Sequence, residues 1–361
     1  MHFATTTEDL SMPTAPLAAD QLPEALEPIV RRRIAGAERA EIVDWRIPAA
    51  GHSNETFLFD LVGVDGPHPT LGLVFRRPPE HPMLPWYDLR RQYLVMQRLA
   101  PSPIPVPAVR WIDTSAEELG TPYYLMDRVD GVVGLTDMPA YHCSGAFADA
   151  DEASRAVMWN GCVDVIADIH AIDPDEYGLG FLQTDRLGVP PTDPVAGMVG
   201  YLRSGLDWAR GDRPLHPSLR RGLNWLEAHP LTPLPWVLCW GDSRMSNLLY
   251  HPDHTVATVL DWEIAHVGDP ASDLAWMLMT DWMLSPLDDN APAAGTPTRD
   301  ETLDRYRQRT GNDLTNLMFY EVAAPLTLAI GMYRLNTRWG LSDFDLADVC
   351  ARRIERILDG D

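Results

Sequence analysis

The sequence predicts an α+β protein with two lobes, a small five-stranded N-terminal lobe and a mostly helical C-terminal lobe. Between residue 42 and about residue 130, short apolar stretches with strand-like alternation dominate, and one helical stretch follows the third of them. Beyond Gly131 the apolar residues recur at helical spacing. A chain of 361 residues is also longer than one ordinary hydrophobic core serves, and its 45% hydrophobic content is typical of a globular protein.

The N-terminal lobe is predicted to cover residues 20–130, after a mobile tail at residues 1–19 that is rich in Thr, Pro and Ala. Asp20 can cap a first helix, because apolar residues at the helical period follow it. The apolar patterns then predict, in order, strands at 42–47, 56–62 and 70–77, a helix at 88–99, and strands at 109–113 and 123–128.

The C-terminal lobe is predicted to cover residues 131–361 and to be built from helices. Their expected positions are 154–172, 194–210, 218–228, 270–284, 299–309, 314–338 and 343–358. Pro325 is expected to break or kink the long sixth helix, because proline cannot donate the backbone hydrogen bond. The stretch 286–298 has the composition of a loop.

The formal net charge of -23 argues against a nucleic-acid partner or an anionic membrane surface, because both would repel the protein. It is compatible with a cationic substrate, although acidity also serves solubility. No apolar segment is long enough to cross a membrane, so we expect a soluble, cytoplasmic protein. The chain contains no lysine, and all 29 basic residues are arginine. Any side-chain cation that binds phosphate must therefore be an arginine.

The cysteines are far apart and form no C-x-x-C pair, so we expect reduced, mostly buried thiols at Cys143, Cys162, Cys239 and Cys350. The residues His251, Asp253 and His254 could suggest a metal site. They lie between two apolar runs, however, and the sequence H-P-D-H is more typical of a hairpin turn.

The most informative segment follows a predicted buried strand at 235–239. It reads W-G-D-S-R-M-S-N at residues 240–247 and, after a predicted hairpin, D-W-E at 261–263. Asp242 is thus followed five residues later by the amide of Asn247, and then by the carboxylate of Asp261. Phosphoryl transfer needs a base that orients the attacking hydroxyl, together with oxygen ligands for Mg²⁺. In protein kinases, the catalytic-loop Asp, its Asn and the DFG Asp supply these groups.

This segment resembles the aminoglycoside phosphotransferase family and the broader choline-kinase-like family. Their loop reads roughly H-G-D-x-x-x-x-N, their metal motif is I-D-W/F-E, and G-D-P-x-x-D-L-A follows, as it does here at residues 268–275. The resemblance covers roughly residues 20–340. It implies a protein-kinase-like fold with a nucleotide cleft between the lobes. It also implies transfer of the γ-phosphoryl group of ATP or GTP, with Mg²⁺, to a hydroxyl of a small, polar, aminoglycoside-like acceptor.

The resemblance also implies roles for individual residues of this loop. Asp242 would be the catalytic base, and Asn247 and Asp261 would be Mg²⁺ ligands. Arg244 stands where protein kinases carry a lysine that touches the transferred phosphate, and a structural role is the alternative for it. Ser246 would contact the terminal phosphate of the nucleotide.

Two segments of the N-terminal lobe resemble the family's phosphate-binding parts. The first is a turn containing Gly51, His52, Ser53 and Asn54, whose backbone amides would cover the phosphates, although an ordinary hairpin would look the same. The second is V-F-R-R at residues 74–77, which stands where kinases have V-A-I-K. Strand alternation favours Arg76 over Arg77 as the arginine that faces the phosphates.

The sequence departs from the family pattern at two positions. The glutamate expected to pair with the phosphate-binding cation aligns with Gln92, so we expect Gln92→Glu to restore a charged pair and to leave nucleotide binding equal or better. Trp240 replaces the family's histidine, and we expect altered packing there rather than lost chemistry. The adenine is expected to contact chiefly the backbone of Met126, Asp127 and Val129.

Other polar and aromatic residues near these motifs are expected to be structural. Asp269 with Pro270 suits the start of a helix, and Asp273, one turn later, would tie that helix to the catalytic loop, with a role as substrate ligands as the alternative for both. His170 would be a packing or capping residue, with a catalytic role as the alternative. Core or cleft-wall positions are expected for Trp225, Trp236, Trp262, Trp276 and Trp282.

Two alternatives to an aminoglycoside-like kinase remain open at this point. The stretches V-F-R-R-P-P, Y-L-M-D-R-V-D-G and Y-G-L-G are most similar to the branch of the family that is fused to acyl-CoA dehydrogenases, which implies hydroxyacyl acceptors. The departures at Gln92 and Trp240 also leave room for a nucleotide-binding pseudokinase that serves as an interaction module.

Overall fold

The computed structural model describes residues 16–48, 54–85, 88–183, 194–232, 234–285, 291–341 and 345–360. Its first part consists of α1 (Leu22–Arg33), β1 (Glu41–Arg46), β2 (Glu55–Val62), β3 (Thr70–Arg77), α2 (Leu89–Leu99), β4 (Val109–Asp113) and β5 (Tyr123–Asp127). The five strands form one antiparallel sheet in the order β1-β2-β3-β5-β4. The predicted five-stranded unit with one helix after its third strand is confirmed.

Strand alternation divides the residues of β3 between two hydrophobic cores. Leu73 and Phe75 pack with α1 in a small core on one face of the sheet. Val74 packs with α2 on the other face, where the core continues into the helical remainder of the chain. Because side chains alternate along a strand, Arg76 lies on the same face as Val74, as predicted, and contacts α2.

The start of α1 differs from the prediction. The helix begins at Leu22, its N-cap position is Gln21, and no side chain caps it, so Asp20 is not the capping residue. Preceding residues nevertheless contact the sheet, because the Leu17 carbonyl accepts a hydrogen bond from Arg77 Nη1 at 2.7 Å. Residues 1–15 of the predicted tail lie outside the described residues.

The remainder of the described chain is mostly helical. Its helices are α3 (Ala146–Asp149), α4 (Glu152–His170), α5 (Pro194–Arg210), α6 (Pro217–Ala228), α7 (Ala271–Met283), α8 (Arg299–Thr310), α9 (Leu317–Trp339) and α10 (Ala347–Asp359). One small antiparallel sheet pairs β7 (Val237–Cys239) with β10 (His266–Gly268), and another places β8 (Leu248–Tyr250) between β6 (Val133–Gly134) and β9 (Val256–Val259). The prediction missed α3, β6 and β10, which are too short to show a periodic pattern.

Pro325 does not break the long helix. The helix α9 runs without interruption from Leu317 to Trp339, with Pro325 buried inside it. Helices α5, α6, α7 and α10 all pack against α9. Tertiary packing supplies most of a helix's stability in a folded protein, and we attribute the survival of the helix to this burial.

The turn at His251–His254 is a hairpin connection, as predicted. It joins β8 to β9, and the His254 amide donates to the His251 carbonyl at 2.9 Å. His254 adopts a positive φ of 69°, which is typical of tight turns. All four cysteines are free, three of them are buried, and Cys143 is exposed. No helix among the described residues combines the length and the apolar composition needed to cross a membrane.

Candidate active site

The predicted base, Asp242, lies in the loop that joins β7 to β8 and is only 8% exposed. Its Oδ2 accepts a hydrogen bond from Asn247 Nδ2 at 2.6 Å, and its Oδ1 accepts one from Trp276 Nε1 at 2.7 Å. Asn247 Nδ2 also donates to the Asp242 carbonyl at 3.0 Å. A single 3₁₀ turn at Met245–Asn247 brings the amide back onto the base, which gives the five-residue spacing its structural reason.

The environment of Asp242 makes its carboxyl group easier to protonate. Burial raises the pKa of Asp242 above its usual range, and the nearby carboxylate of Asp261 acts in the same direction. Arg244 and the hydrogen bonds from Trp276 and Asn247 oppose this rise only in part. A pKa shifted by burial and a specific charged neighbour is typical of carboxyl groups at functional sites.

Gly241 allows the loop that carries Asp242 to lie against the segment that carries Asp261. Its φ is +89°, and a Cβ atom at this position would lie 2.3 Å from the Ile264 carbonyl oxygen. Only glycine fits both the backbone conformation and the close approach. Asp273 of α7 fixes the same point, because its two oxygens accept hydrogen bonds from the amides of Trp240 (2.7 Å) and Gly241 (2.8 Å). The predicted link between this helix and the loop that carries Asp242 is confirmed.

Asp273 belongs to a buried group of structural side chains. Asp273 Oδ2 lies 3.0 Å from His170 Nε2, and His170 Nδ1 lies 2.7 Å from the Tyr306 hydroxyl. Burial opposes ionisation, but His170 and the Gly241 amide hold the pKa of Asp273 below its usual range. The ligand atoms of His170, Cys239 and Asp273 lie within 4.8 Å of one another. The hydrogen bonds to His170 and Asp273 already give these two side chains a structural task, which agrees with the packing role predicted for His170.

Asp269 also has a structural position. Its Oδ1 accepts a hydrogen bond from the Ala271 amide at 2.9 Å at the start of α7, and its Oδ2 accepts one from Asn316 Nδ2 at 2.6 Å. Of the tryptophans predicted to line the core or the cleft, Trp262 is fully buried, whereas Trp236 is 42% exposed. Trp236 is therefore not a core residue, because residue 236 lies just before the short strand β7 rather than inside it.

Asp261 follows β9 and adopts a positive φ of 53°, which is unusual for a residue with a side chain. Two hydrogen bonds hold the preceding residue: the Leu260 amide donates to the Asn247 carbonyl at 2.9 Å, and Trp240 Nε1 donates to the Leu260 carbonyl at 2.8 Å. The indole of Trp240 thus has a positioning task that the sequence did not reveal. Backbone strain of this kind is commonly found at functional sites.

Arg76 is buried at 6% exposure and forms an ion pair with Asp261. Its Nη1 also donates to Gln92 Oε1 at 3.2 Å. Burial disfavours the charged guanidinium, but Asp261, Tyr124 and Glu263 outweigh burial and raise the pKa of Arg76 above its usual range. The neighbouring Arg77 points to the other face of the sheet, where it pairs with Glu55 at 2.7 Å. Arg76 is therefore the arginine of β3 that contacts Asp261, whereas Arg77 contacts Glu55 on the opposite face of the sheet.

Glu263 connects Gln92 with Asn54, a residue of the predicted phosphate-covering turn. Glu263 Oε2 accepts a hydrogen bond from Asn54 Nδ2 at 2.7 Å and one from Gln92 Nε2 at 3.4 Å. Gln92 Oε1 in turn accepts one from the Tyr124 hydroxyl at 2.9 Å. Three other residues of the predicted turn, Gly51, His52 and Ser53, lie outside the described residues.

Arg244 lies between two carboxylates. Its Nη1 donates to Asp137 Oδ2 at 2.6 Å, and its Nε lies 3.2 Å from Asp242 Oδ1. Burial alone would lower the pKa of Arg244, but Asp242 and Asp137 raise it, so the guanidinium stays charged. Asp137 lies in the connection between β6 and α3.

The three residues predicted to contact adenine are not equivalent. Met126 lies within β5, paired with Val74, and is buried. The Asp127 amide already donates to the Ala108 carbonyl at 2.8 Å, and the Asp127 carboxylate pairs with Arg110. Val129 follows the end of β5, and among the described residues no carbonyl or side chain accepts a hydrogen bond from its amide. Of the three, Val129 is therefore the residue whose backbone amide has no partner in the part of the chain that the structure describes.

Several buried polar atoms around Asp242 and Asp261 lack a hydrogen-bond partner among the described residues. They are Asn54 Oδ1, Arg76 Nε, Asp137 Oδ1, Arg244 Nε and Ser246 Oγ. Three of these five atoms belong to hydrogen-bond donors of the kind that binds phosphate oxygens. Asn247 commits its amide nitrogen to Asp242, which leaves its amide oxygen for a cation. The set of residues therefore fits a phosphate-bearing ligand with a hard divalent cation.

The sequence did not reveal the polar contacts that Trp276, Asp137 and Glu263 make in the predicted site. Glu263 belongs to the D-W-E motif, and Trp276, for which a core or cleft-wall position is expected, directly follows the G-D-P-x-x-D-L-A motif, so both carry a sequence signal. Asp137 carries no such signal, because only the fold places it beside Arg244.

Comparisons with known proteins agree with this architecture. A family model described as "Phosphotransferase enzyme family" matches residues 44–314. Acyl-CoA dehydrogenase family member 10 of Mus musculus is 26% identical over 304 residues, which cover 79% of this chain and 26% of that protein. Acyl-CoA dehydrogenase family member 11 of Rattus norvegicus is 26% identical over 296 residues, which cover 78% of this chain and 34% of that protein. The chain therefore spans only about a quarter to a third of the length of these relatives.

Solved structures share the fold. A Ralstonia eutropha protein described as an aminoglycoside phosphotransferase superposes with a TM-score of 0.66 and 23% identity, covering 92% of this chain and 95% of that one. A thermostable variant of aminoglycoside phosphotransferase APH(4)-Ia, crystallised with ADP and hygromycin B, has a TM-score of 0.58 and 18% identity, covering 93% and 98%. Choline kinase LicA of Streptococcus pneumoniae has a TM-score of 0.57 and 12% identity, covering 94% and 98%.

These similarities confirm the two-lobed, protein-kinase-like fold that the sequence predicted. The family model begins within β1 and ends at Leu314, so it includes most of the five-stranded sheet, the loop that carries Asp242, and α7. Because this match spans most of the chain, the protein belongs to the phosphotransferase enzyme family.

Proposed function

We propose that this protein transfers the γ-phosphoryl group of ATP or GTP to a hydroxyl group of a small molecule. One observation carries the proposal. The buried Asp242 and Asn247 share hydrogen bonds, and Asp261 lies close enough to affect the pKa of Asp242 while it pairs with Arg76. Groups suited to act as a base, as two oxygen ligands and as a phosphate-binding cation thus lie together, although Arg76 and Asp261 are 185 positions apart in the chain. The cleft would lie between lobes at residues 20–130 and 131–361.

The nucleotide phosphates would be bound by donors that the fold leaves available. Arg76 Nε and Ser246 Oγ are buried without a partner among the described residues, and both can donate to phosphate oxygens. The Asn247 amide oxygen and the Asp261 carboxylate would hold Mg²⁺, which when bound would neutralise negative charge on the phosphates. The Val129 amide would contact the base of the nucleotide.

Asp242 would act as the base. The acceptor's hydroxyl oxygen would form its bond to the γ-phosphorus as the bond from that phosphorus to the bridging oxygen breaks. The hydroxyl proton would pass to Asp242, and the nucleoside diphosphate would leave. The raised pKa of Asp242 suits this task, because a base works best when its pKa approaches the working pH. Arg244, 3.2 Å from the base, could stabilise charge on the transferred group.

The acceptor has two candidate classes. Similarity of fold to an aminoglycoside phosphotransferase crystallised with hygromycin B favours a polar, aminoglycoside-like acceptor. Similarity of sequence to acyl-CoA dehydrogenase family members 10 and 11 favours a hydroxyacyl compound as the second candidate. The strongly acidic chain suits a cationic acceptor better than an anionic one.

A screen for ADP or GDP production would test the proposal. The purified protein, with ATP or GTP and Mg²⁺, would be incubated with a panel that contains aminoglycosides, choline, small alcohols and hydroxyacyl compounds. We expect nucleoside diphosphate to form only with a matching acceptor, and formation to stop when EDTA removes the metal. Nucleotide binding without turnover on any acceptor would instead favour an interaction module. Absence of nucleotide binding would contradict the proposed function altogether.

A further inference from the structure

Arg76 needs a negative partner that does not also bind the metal. Its ion pair in this structure is with Asp261, the residue that the proposed function assigns to Mg²⁺. A carboxylate that binds the cation has less charge to offer a neighbouring arginine. The position from which kinases supply a separate glutamate is occupied here by the neutral Gln92. A buried guanidinium without a counter-charge is strongly unfavourable, so the fold must provide a carboxylate from elsewhere.

The side-chain amide of Gln92 connects Arg76 with Glu263. Its oxygen accepts hydrogen bonds from Arg76 Nη1 (3.2 Å) and the Tyr124 hydroxyl (2.9 Å), and its nitrogen donates to Glu263 Oε2 at 3.4 Å. The orientation of the amide follows from its partners, because the arginine can only donate and the ionised carboxylate can only accept. Gln92 is buried at 2% exposure, so water does not compete for these bonds.

Glu263 also reaches the loop expected to cover the phosphates. Its Oε2 accepts a hydrogen bond from Asn54 Nδ2 at 2.7 Å, and Asn54 is buried and precedes β2 directly. Through the amide of Gln92, the same carboxylate is also linked to Arg76. One carboxylate therefore acts on both phosphate-facing parts of the N-terminal sheet.

We propose that Glu263 is a positioning residue that replaces the missing glutamate at position 92. It supplies the counter-charge of Arg76 through the amide of Gln92, and it holds Asn54 in the turn expected to cover the phosphates. The assignment rests on the proposed function only for the task of Arg76 in binding phosphate. Compared with the kinase pattern, the negative charge therefore comes from the segment after Asp261 instead of from α2, while the cation stays at the same position of β3.

This arrangement reverses an expectation drawn from the sequence. The sequence suggested that Gln92→Glu would restore a charged pair and leave nucleotide binding equal or better. In the structure, Gln92 Nε2 lies 3.4 Å from Glu263 Oε2. A carboxylate oxygen in place of this nitrogen would lie about as close to Glu263, but an ionised carboxylate has no hydrogen to donate. Two like charges in a buried site repel each other, and Glu263 would no longer accept a hydrogen bond from the side chain at position 92. The substitution is therefore expected to be harmful.

A charge-exchange cycle tests the proposal. The variants are Gln92→Glu, Glu263→Gln and the double variant that carries both, so that the carboxylate moves to the kinase position. Gln97→Glu, at an exposed site on the same helix, and Glu38→Gln, at another exposed site, are matched controls for the change in net charge. Two quantities are measured for each: the affinity for Mg²⁺ with AMP-PNP, alongside that for adenosine, and the melting temperature without nucleotide.

We expect Gln92→Glu to weaken AMP-PNP binding about tenfold or more, and Glu263→Gln to weaken it about fivefold. The double variant should bind within about threefold of the parent, because the exchange restores one carboxylate and one amide. Adenosine affinity should stay unchanged in all of them, which a merely structural role would not produce. The melting temperature should show the same rescue.

Additive losses in the double variant, or parent-like binding by Gln92→Glu alone, would overturn the proposal. Because the melting temperatures are measured without nucleotide, they test the role of Glu263 independently of the proposed function. A parent protein that binds no nucleotide would refute that function. Rescue of stability by the double variant would still establish Glu263 as the counter-charge, and additive loss of stability would refute it.

Discussion

The two ends of the candidate cleft are built in different ways. At the base end, Asp242, Arg244 and Asn247 lie within six residues of one loop and contact one another directly. At the phosphate end, the contacting side chains come from the residue before β2, from β3, from α2 and from the segment after β9. The hydrogen bond from Asn54 to Glu263, for example, joins residues 209 positions apart.

This difference shows which arrangements short-range spacing can specify. A single turn brings Asn247 onto Asp242, so the base end follows from the local chain. The phosphate end exists only when the sheet, α2 and the Asp261 segment have packed together. Loss of one partner there leaves a buried charge unpaired, so binding and stability should fall together. At the base end, a conservative change should affect the chemistry more than the fold.

The largest expected effect is at the base end. Asp242→Asn keeps the size of the side chain but removes the acceptor of the hydroxyl proton, so turnover should fall at least about a hundredfold. Nucleotide affinity should change little, since the base does not hold the phosphates. Turnover would be measured as ADP production and affinity by titration with AMP-PNP. Turnover close to that of the parent would remove Asp242 from the mechanism.

The next effect concerns the metal. Nucleotide binding by the parent should depend strongly on Mg²⁺, and Asp261→Ala should abolish that dependence, because a hard cation needs the carboxylate oxygen. Asp261→Asn is the matched variant, since it keeps the shape of the side chain and removes only the charge. Titrations with AMP-PNP, with and without Mg²⁺, would measure the linkage. A dependence that persists in both variants would place the metal ligands elsewhere.

At the phosphate end, Arg76→Ala should weaken Mg·ATP binding by about ten- to more than a hundredfold, since charge-assisted hydrogen bonds contribute about 1.5–3 kcal/mol. Adenosine, which lacks phosphates, should bind as before. The melting temperature should also fall, because Asp261 and Glu263 lose a buried cation. Arg76→Lys should recover only part of the affinity, since a point charge cannot reproduce the fork of the guanidinium.

Arg77→Ala is the matched control for Arg76→Ala. Arg77 is equally buried, but it pairs with Glu55 and the Leu17 carbonyl on the opposite face of the sheet. Its loss should lower stability and leave nucleotide affinity nearly unchanged. A large loss of affinity in Arg77→Ala with none in Arg76→Ala would reverse the assignment of the phosphate-binding arginine.

The smallest expected effect is a change in pH dependence. Asp242 works as a base only when ionised, so activity is lost as pH falls through its raised pKa. Arg244 lowers this pKa, and Arg244→Gln should raise it further, so the acidic limb of the kcat/KM profile should move to higher pH. Arg244→Lys keeps the charge and should leave the limb near its original position. An unchanged limb in Arg244→Gln would show that Arg244 does not influence the base.

The strand and helix positions of the N-terminal sheet could be predicted from the sequence, because short apolar stretches of strand length and one stretch with helical spacing mark them. The order Asp242, Asn247, Asp261 could also be identified, because a tight turn and a hairpin fix their spacing. The continuous helix through Pro325 could not be predicted, since the packing of four other helices stabilises it. Likewise, Asp20 is a good capping residue that the structure does not use.

The sequence by itself determined which residue types are available: no lysine, an arginine at position 76, and a glutamine where kinases carry glutamate. Only the tertiary structure decided how these residues pair. It placed Glu263 beside Gln92 and Asp137 beside Arg244. The reason is physical. A buried charge can be balanced by any carboxylate within hydrogen-bonding reach, whatever its distance along the chain, so the pairing of charges depends on the packing of the fold and not on spacing in the sequence.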